Sequence, residues 1–379
     1  MQAGKKILKN MLSLSAAELA SKGIVFLWTA VLARELGKDG MGMIGFANTY
    51  VNYFILFISL GFNTVGAREI AKFSEKINKY VNTIVTMRLI LAAAGYAVLA
   101  GTVTFMDKSD ESKIIILVCG GSLFANAILL DWVYQGVEKM EILALRQVIV
   151  NVLNLTGIIL FVNGREDAVL AMVIITSALI INSLWMLAVY VKIYGALKLK
   201  LNIELMKELG KSALPLAVST LFITLLNTFN ILILGFIKGD AATGIYFVAF
   251  KVLVLSLLPS NVIQYAFFPV LSRAGTLEEK RNIVSKFTLL LAVAGVFTTT
   301  AFFTYADFII ITVFSAEFSE SVDVVRILMA SSFFAYINIS LNIPLITWKK
   351  EKQSMAAIIA GCTLNIVLNF ALIPEYSYY

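Results

Sequence analysis

Lysines inside apolar segments are the residues of this sequence that most clearly imply chemistry. Lys22 lies near the middle of the first apolar segment, and Lys251 lies about a third of the way along the eighth. A lysine at the centre of a bilayer costs about 2.5–3.5 kcal/mol on insertion scales, so it normally faces a cavity or a partner. Because Lys251 has no acidic residue close to it in the sequence, we predict that its partner is an anionic group of a ligand.

Polar side chains also form stripes on two of the apolar segments. Glu18 lies four residues before Lys22 and therefore on the same face of a helix. Thr220, Thr224 and Asn227 have a similar spacing in the seventh segment. An ion pair between Glu18 and Lys22 that only fixes helix packing is the alternative to a binding role. We predict a substrate cavity between the two halves of the chain that is lined by six residues: Glu18, Lys22, Thr220, Thr224, Asn227 and Lys251.

Signatures of an enzyme are missing from the sequence. It contains no histidine, and its two cysteines, Cys119 and Cys362, both lie in apolar runs without metal-ligand spacing. No phosphate-binding loop, nucleophile elbow or zinc motif is present. No loop is long enough to form a separate catalytic domain. We therefore predict a protein that is not an enzyme and has no catalytic residue, metal or cofactor.

The composition indicates that lipid surrounds most of these segments. Hydrophobic residues make up 59% of the 379 positions and charged residues 15%, against about 25% charged residues in ordinary soluble domains. Several apolar segments are long enough to cross a bilayer as helices. We predict an all-α, polytopic integral membrane protein with eleven spans at about 11–33, 43–66, 82–105, 113–133, 143–163, 168–191, 212–236, 243–268, 284–306, 322–346 and 354–373.

The basic residues predict the orientation in the membrane. With the N-terminus inside, most of the 31 lysines and arginines fall in inner loops and helix ends, including Lys5, Lys6 and Lys9, as the positive-inside rule requires. The net charge of +7 is therefore explained without a nucleic-acid partner. Glu18 and Lys22 make the first segment a poor signal peptide. We predict a multi-pass protein of the cell (inner or plasma) membrane with a cytoplasmic N-terminus.

Two similar halves are visible in the chain. The run Gly42–Ala47 opens the second segment and the run Gly244–Ala249 opens the eighth, and the two glycines are 202 residues apart. A chance match of small residues is the alternative explanation. Six spans per half would relate the halves by a pseudo-two-fold axis along the membrane normal. We predict an N-terminal lobe over 1–194, an amphipathic cytoplasmic connector that lies as a surface helix over 195–211, and a C-terminal lobe over 212–379.

Several stretches resemble the polysaccharide exporters, the Wzx-type oligosaccharide flippases of the MOP (multidrug, oligosaccharidyl-lipid, polysaccharide) superfamily. The most specific of them is Asp131-Trp132-Val-Tyr-Gln135-Gly-Val-Glu-Lys139. The resemblance spans essentially the whole chain, and it implies at least one more helix after Tyr379, so we expect the chain to be truncated. Five residues fall on the family's motif or gating positions: Arg34, Arg68, Asp131, Trp132 and Gln135.

The resemblance implies a fold and a substrate. The fold would be a V-shaped bundle like that of MATE transporters, and the substrate a sugar chain linked to polyprenyl pyrophosphate and destined for a surface polysaccharide such as O-antigen or capsule. Lys22 and Lys251 would offset the charge of the pyrophosphate or of acidic sugars. The implied partners are the lipid bilayer, the polyprenyl-linked oligosaccharide, and a glycan polymerase or ligase of the same assembly pathway.

Three other functions are compatible with parts of the sequence. A drug or cation antiporter of the same superfamily would favour acidic cavity residues, and Glu18 is the residue that argues for it. A membrane-embedded glycan polymerase or ligase would need a larger outer loop than the short connections present here. A scaffold of a glycan assembly complex is the third alternative.

Overall fold

The computed structural model describes residues 2–348 and 350–379, with side chains from Glu18 onward. Lys5, Lys6 and Lys9, which contribute to the predicted orientation, lie outside the described side chains. No strand occurs within the described ranges, which confirms the predicted all-α class. The α-helices, in chain order, are α1 (Gln2–Ser59), α2 (Phe62–Lys72), α3 (Ile77–Thr104), α4 (Asp110–Gly120), α5 (Ser122–Ile128), α6 (Asp131–Gly136), α7 (Met140–Phe161), α8 (Ala168–Tyr194), α9 (Ile203–Ile237), α10 (Gly239–Ser256), α11 (Leu258–Arg273), α12 (Leu277–Thr304), α13 (Ala306–Phe308), α14 (Ser321–Thr347) and α15 (Glu351–Tyr376).

Candidate membrane spans account for most of this helical structure. Among the described residues, ten helical stretches are long and apolar enough to cross a bilayer. The first of them, Glu18–Lys72, contains 55 residues, which would extend about 80 Å as a straight helix and far exceeds the roughly 30 Å of a hydrocarbon core. It must therefore cross twice, so the ten stretches agree with the predicted segments. The chain is a multi-pass membrane protein.

A glycine bends α1 at the point where these two crossings meet. Gly37 has φ 67° and ψ −172°, a conformation that a residue with a Cβ rarely adopts. The carboxylate of Glu317 accepts a hydrogen bond from the backbone N–H of Lys38 at 3.1 Å. It thereby satisfies one of the free N–H groups with which the second part of α1 begins.

The chain divides into two compact units, and α1 contributes to both. Unit 1 consists of residues 1–28 and 43–228, and unit 2 consists of residues 29–42 and 229–379. The predicted lobes, with their boundary at the connector, stay a prediction.

The core of unit 1 is built around aromatic side chains of α6 and α8. Trp132, Tyr134 and Tyr190 are fully buried and join a cluster that includes residues of α2, α3 and the first turns of α9. Helix α2 approaches α6 closely because Gly66 leaves room for the indole. A Cβ on Gly66 would lie 2.4 Å from a ring carbon of Trp132.

In unit 2, α1 and α10 contact each other through equivalent residues of the two halves of the sequence. A Cβ on Gly42 would lie 1.7 Å from the carbonyl oxygen of Asp240, and a Cβ on Gly244 would lie 1.9 Å from that of Lys38. Lys38 and Asp240 are separated by the same 202 residues as Gly42 and Gly244. The internal similarity seen in the sequence therefore corresponds to a symmetric backbone contact that requires glycine on both helices.

Each unit contains an interrupted span whose freed carbonyl group is bonded by a buried side chain. In unit 1 the chain leaves helical geometry at Leu129, between α5 and α6, and Arg88 Nη1 donates to the Leu129 carbonyl at 3.4 Å. In unit 2, α10 ends at Ser256 just before Pro259, and the Tyr336 hydroxyl donates to the Ser256 carbonyl at 2.7 Å. Such interruptions within a membrane need this internal satisfaction, because lipid offers no donor.

The connector is not a surface helix over its whole predicted length. Residues 195–202 form no helix, and the residues from Ile203 onward are the first turns of α9. A ladder of side chains on α3 holds the extended segment instead. Asn82 accepts from the backbone N–H of Lys198 at 2.9 Å, and Thr86 accepts from that of Lys200 at 3.1 Å. These hydrogen bonds occupy the backbone groups that a helix would have paired internally.

Candidate functional site

The first predicted pair forms within α1 in unit 1. Lys22 Nζ lies 2.8 Å from Glu18 Oε1, and the two side chains are 32% and 27% exposed. The positive charge of Lys22 is therefore compensated on its own helix, as the packing alternative proposed. Both side chains remain partly exposed.

The predicted polar stripe of α9 also lies in unit 1. Thr220 and Asn227 are exposed, and Thr224 is half-buried. The Thr220 hydroxyl donates to the carbonyl of Leu216 at 2.9 Å, and the Asn227 amide donates to that of Ile223 at 2.7 Å. Both side chains keep acceptor capacity toward a ligand after these bonds within the helix.

Lys251 lies in unit 2 and differs from Lys22 in its surroundings. It is half-buried in α10, about 18 Å along the helix from Gly239. Its Nζ lies 4.5 Å from the centre of the Phe247 ring. No carboxylate among the described residues forms an ion pair with it. A ring face compensates a full charge only weakly, by roughly 0.5–2 kcal/mol.

Arg34 and Arg68 have different environments. Arg34, in unit 2, donates through Nε to the carbonyl of Val313 at 2.9 Å and through Nη2 to that of Thr312. These carbonyls belong to a π-helical turn over Ile309–Phe314, so Arg34 holds an irregular segment in place. Arg68, in unit 1, is about half exposed and pairs with the neighbouring Glu69 at 3.2 Å.

The family stretch at α6 is largely a packing element. Asp131 Oδ2 pairs with Arg146 Nη2 at 2.9 Å, with the two side chains 26% and 13% exposed. Trp132 fills the space above Gly66, and Gln135 is exposed. Of the three predicted positions, Gln135 has the most exposed side chain.

Arg88 is a buried charged residue that the sequence analysis did not propose as a site residue. It lies near the start of the predicted segment 82–105, where an arginine is commonly an interface anchor, but its side chain is 2% exposed. Its Nη2 donates to Asn63 Oδ1 at 2.5 Å, and its Nε has no partner among the described residues. The signal in the sequence was an arginine within the apolar segment 82–105, because such a residue must be held by internal partners.

Comparison with known proteins assigns the chain to a family. The profile described as "Polysaccharide biosynthesis protein" matches residues 7–275, well over half of the chain. The chain belongs to this family.

Two relatives of this polysaccharide biosynthesis family member align with nearly all of the chain. A candidate O-antigen transporter of Escherichia coli K12 is 23% identical and covers 96% of this chain and 89% of its own length. The candidate low-salt glycan biosynthesis flippase Agl15 of Haloferax volcanii is 22% identical and covers 97% and 78%.

Solved structures confirm the fold of this family member. The lipid II flippase MurJ in an inward closed conformation superposes with a TM-score of 0.68 at 13% identity, over 96% of this chain and 82% of MurJ. An inward-facing multidrug resistance transporter of the MATE family superposes with a TM-score of 0.60 at 13% identity, over 96% of both chains. The chain therefore has the fold of MOP superfamily transporters, which confirms the resemblance read from the Asp131–Lys139 stretch.

Proposed function

We propose that this polysaccharide biosynthesis family member is a flippase for oligosaccharides linked to polyprenyl pyrophosphate. It moves them from the inner to the outer leaflet by alternating access, for the synthesis of a surface polysaccharide such as O-antigen or capsule. It breaks no bond of the substrate and is not an enzyme. The names of the E. coli and Haloferax relatives support this substrate class.

The observation that carries the proposal is the uncompensated charge of Lys251. Isolated charges in a low-dielectric medium are unfavourable, and a pyrophosphate group supplies the opposite charge at close range. A cationic drug would be repelled by the same lysine. Lys22 becomes a second contact to the anionic group when its ion pair with Glu18 opens, and the polar stripe of α9 offers hydrogen bonds to sugar hydroxyls.

The surroundings of the protein are part of the proposal. The chain lies in the cell membrane with its N-terminus in the cytoplasm, because this orientation puts most basic loops inside. A glycan polymerase or ligase takes over the flipped oligosaccharide. Arg34 and Arg68 act in gating, each through the neighbours described above.

The test is the fate of the lipid-linked oligosaccharide in source cells that lack the gene. We expect it to accumulate on the cytoplasmic leaflet while the surface polysaccharide disappears. Complementation with Lys251→Arg should restore export at least in part, whereas Lys251→Gln at equal protein level should not, because only arginine keeps the charge.

Two results would contradict this reasoning in different ways. If the double variant Lys22→Ala/Lys251→Ala exports normally at normal expression, the lysines do not pair with the substrate. If the deletion leaves surface glycan unchanged and sensitises cells to cationic compounds, the protein is a cation antiporter like other members of its superfamily.

A further inference from the structure

Unit 2 contains a cavity whose polar lining is uncharged. Its volume is about 210 Å³, which is room for one small ring rather than for a drug-sized ligand. It lies near the turn between α9 and α10, where α14 and α15 complete its walls. Its hydrogen-bonding and aromatic side chains include Asn230, Tyr246, Asn365, Asn369, Tyr376 and Tyr378.

The amide groups of this cavity have unused hydrogen-bonding capacity. Asn369 Nδ2 donates to Asn365, at 2.8 Å to its backbone carbonyl and at 3.0 Å to its Oδ1. Asn230 Nδ2 donates to the Tyr246 hydroxyl. The other end of this amide, Asn230 Oδ1, is buried and has no partner among the described residues. A buried acceptor without a donor is unfavourable, so a ligand that donates a hydrogen bond here would be stabilised.

The chemistry of the lining favours a neutral ligand with several hydroxyl groups. None of the described side chains that line the cavity carries a charge, and a charged ligand would enter this site without a side-chain counter-charge. Amides both donate and accept, as hydroxyl groups do. Burial and the Glu320 carboxylate raise the pKa of Tyr378, whose hydroxyl contacts Glu320. The Tyr378 hydroxyl is thus already bonded to Glu320, and the residue contributes its aromatic ring to the cavity wall.

We propose that this cavity binds one uncharged sugar ring of the translocated oligosaccharide. The hydroxyl groups of the sugar bond the three amides, and its C–H faces pack on the tyrosine rings, which combine a large apolar body with a polar tip. This inference rests on the proposed function, because it takes the ligand to be part of the flippase substrate. It separates the recognition of sugars, at Asn230 and Asn369, from the compensation of phosphate charge at Lys251.

The test measures sugar binding directly on the purified protein in detergent micelles. Saturation-transfer NMR is recorded with the methyl glycosides of glucose, galactose and N-acetylglucosamine, and with glucuronic acid as a charged probe. We expect transfer to at least one neutral glycoside and a decrease of about fivefold or more in Asn369→Leu. Tyr246→Phe, which removes only a hydroxyl, should give a smaller decrease.

A matched control tests whether the loss of the same kind of bond elsewhere in the chain affects the sugar signal. Asn126 in unit 1 donates to the carbonyl of Ser122 at 2.9 Å, which is the same bond within a helix that Asn369 makes. Asn126→Leu should therefore keep the sugar signal of the wild type.

Three results would overturn the assignment of the cavity: transfer to glucuronic acid alone, no transfer to any neutral glycoside, or equal transfer in the wild type and Asn369→Leu. If the deletion strain still accumulates lipid-linked oligosaccharide in that case, only the sugar site is wrong. If no oligosaccharide accumulates, the flippase proposal itself fails, whatever the NMR shows.

Discussion

Replacement of Gly42 by alanine tests the symmetric helix contact of unit 2. The new Cβ would lie 1.7 Å from the carbonyl oxygen of Asp240, where real Cβ atoms essentially never come closer than 3.0 Å. The obstacle is backbone, which cannot rotate away as a side chain does. Helices α1 and α10 must therefore separate, and the packing around them must open.

The expected loss of stability follows from two opposing terms. Overpacking of a filled interior costs about 1–3 kcal/mol, and a backbone obstacle belongs at the upper end of this range. The higher helix propensity of alanine offsets about 1 kcal/mol of this cost. The net loss is about 2 kcal/mol, which lowers the unfolding temperature of a unit of this size by about 4–8 °C.

The two cysteines provide the assay, because both are buried and each lies in a different unit. Cys119 is 4% exposed in unit 1 and Cys362 is fully buried in unit 2. A thiol-reactive fluorophore therefore reports the unfolding of one unit at a time in single-cysteine variants. Gly42→Ala should lower the temperature at which Cys362 reacts. Gly244→Ala should do the same, since its Cβ meets the carbonyl oxygen of Lys38.

The control is a helical glycine whose Cβ would have no neighbouring atoms. A Cβ on Gly101 in α3 meets no atom within 4 Å, so Gly101→Ala should leave the unfolding temperature unchanged or raise it. If Gly42→Ala and Gly244→Ala unfold like the wild type, the two backbones are not in contact and the structural basis of the internal repeat is wrong.

Two further predictions concern unit 1. Asp131→Asn leaves Arg146 without its partner at 2.9 Å and should destabilise the unit by about 1–3 kcal/mol. The double variant Asp131→Asn/Arg146→Gln should recover part of this loss, and strictly additive unfolding temperatures would refute the pairing. Asn82→Leu removes the acceptor of the Lys198 N–H, so trypsin should cut after Lys198 about fivefold faster. Equal acceleration in Asn126→Leu would refute a specific role of this bond.

Much of the fold was predictable because it depends on composition alone. Burial in lipid is favourable for any long apolar helix, so the spans follow from the sequence without knowledge of their neighbours. The family was predictable from one stretch, Asp131–Lys139, because its residue types and spacing are specific. The repeat of Gly42 and Gly244 was visible as well, although the sequence could not say that these glycines touch.

The site was only partly predictable, because charge compensation depends on three-dimensional neighbours. The spacing of Glu18 and Lys22 offered their pairing as the alternative to a binding role, since both lie on one helix. The sequence around Lys251 showed only that no aspartate or glutamate lies close to it along the chain. The structure adds that the ring of Phe247 lies next to the Lys251 amine.

By itself, the sequence determined the all-helical membrane class, the approximate spans, the family and the identity of the charged residues inside the spans. Each of these follows from local composition or from contacts within one helix. The tertiary structure decided the bend at Gly37, the extended connector on α3 and the burial of Arg88. Each of these depends on partners far away in the chain, namely Glu317, Asn82 and Asn63, and only folding brings such partners together.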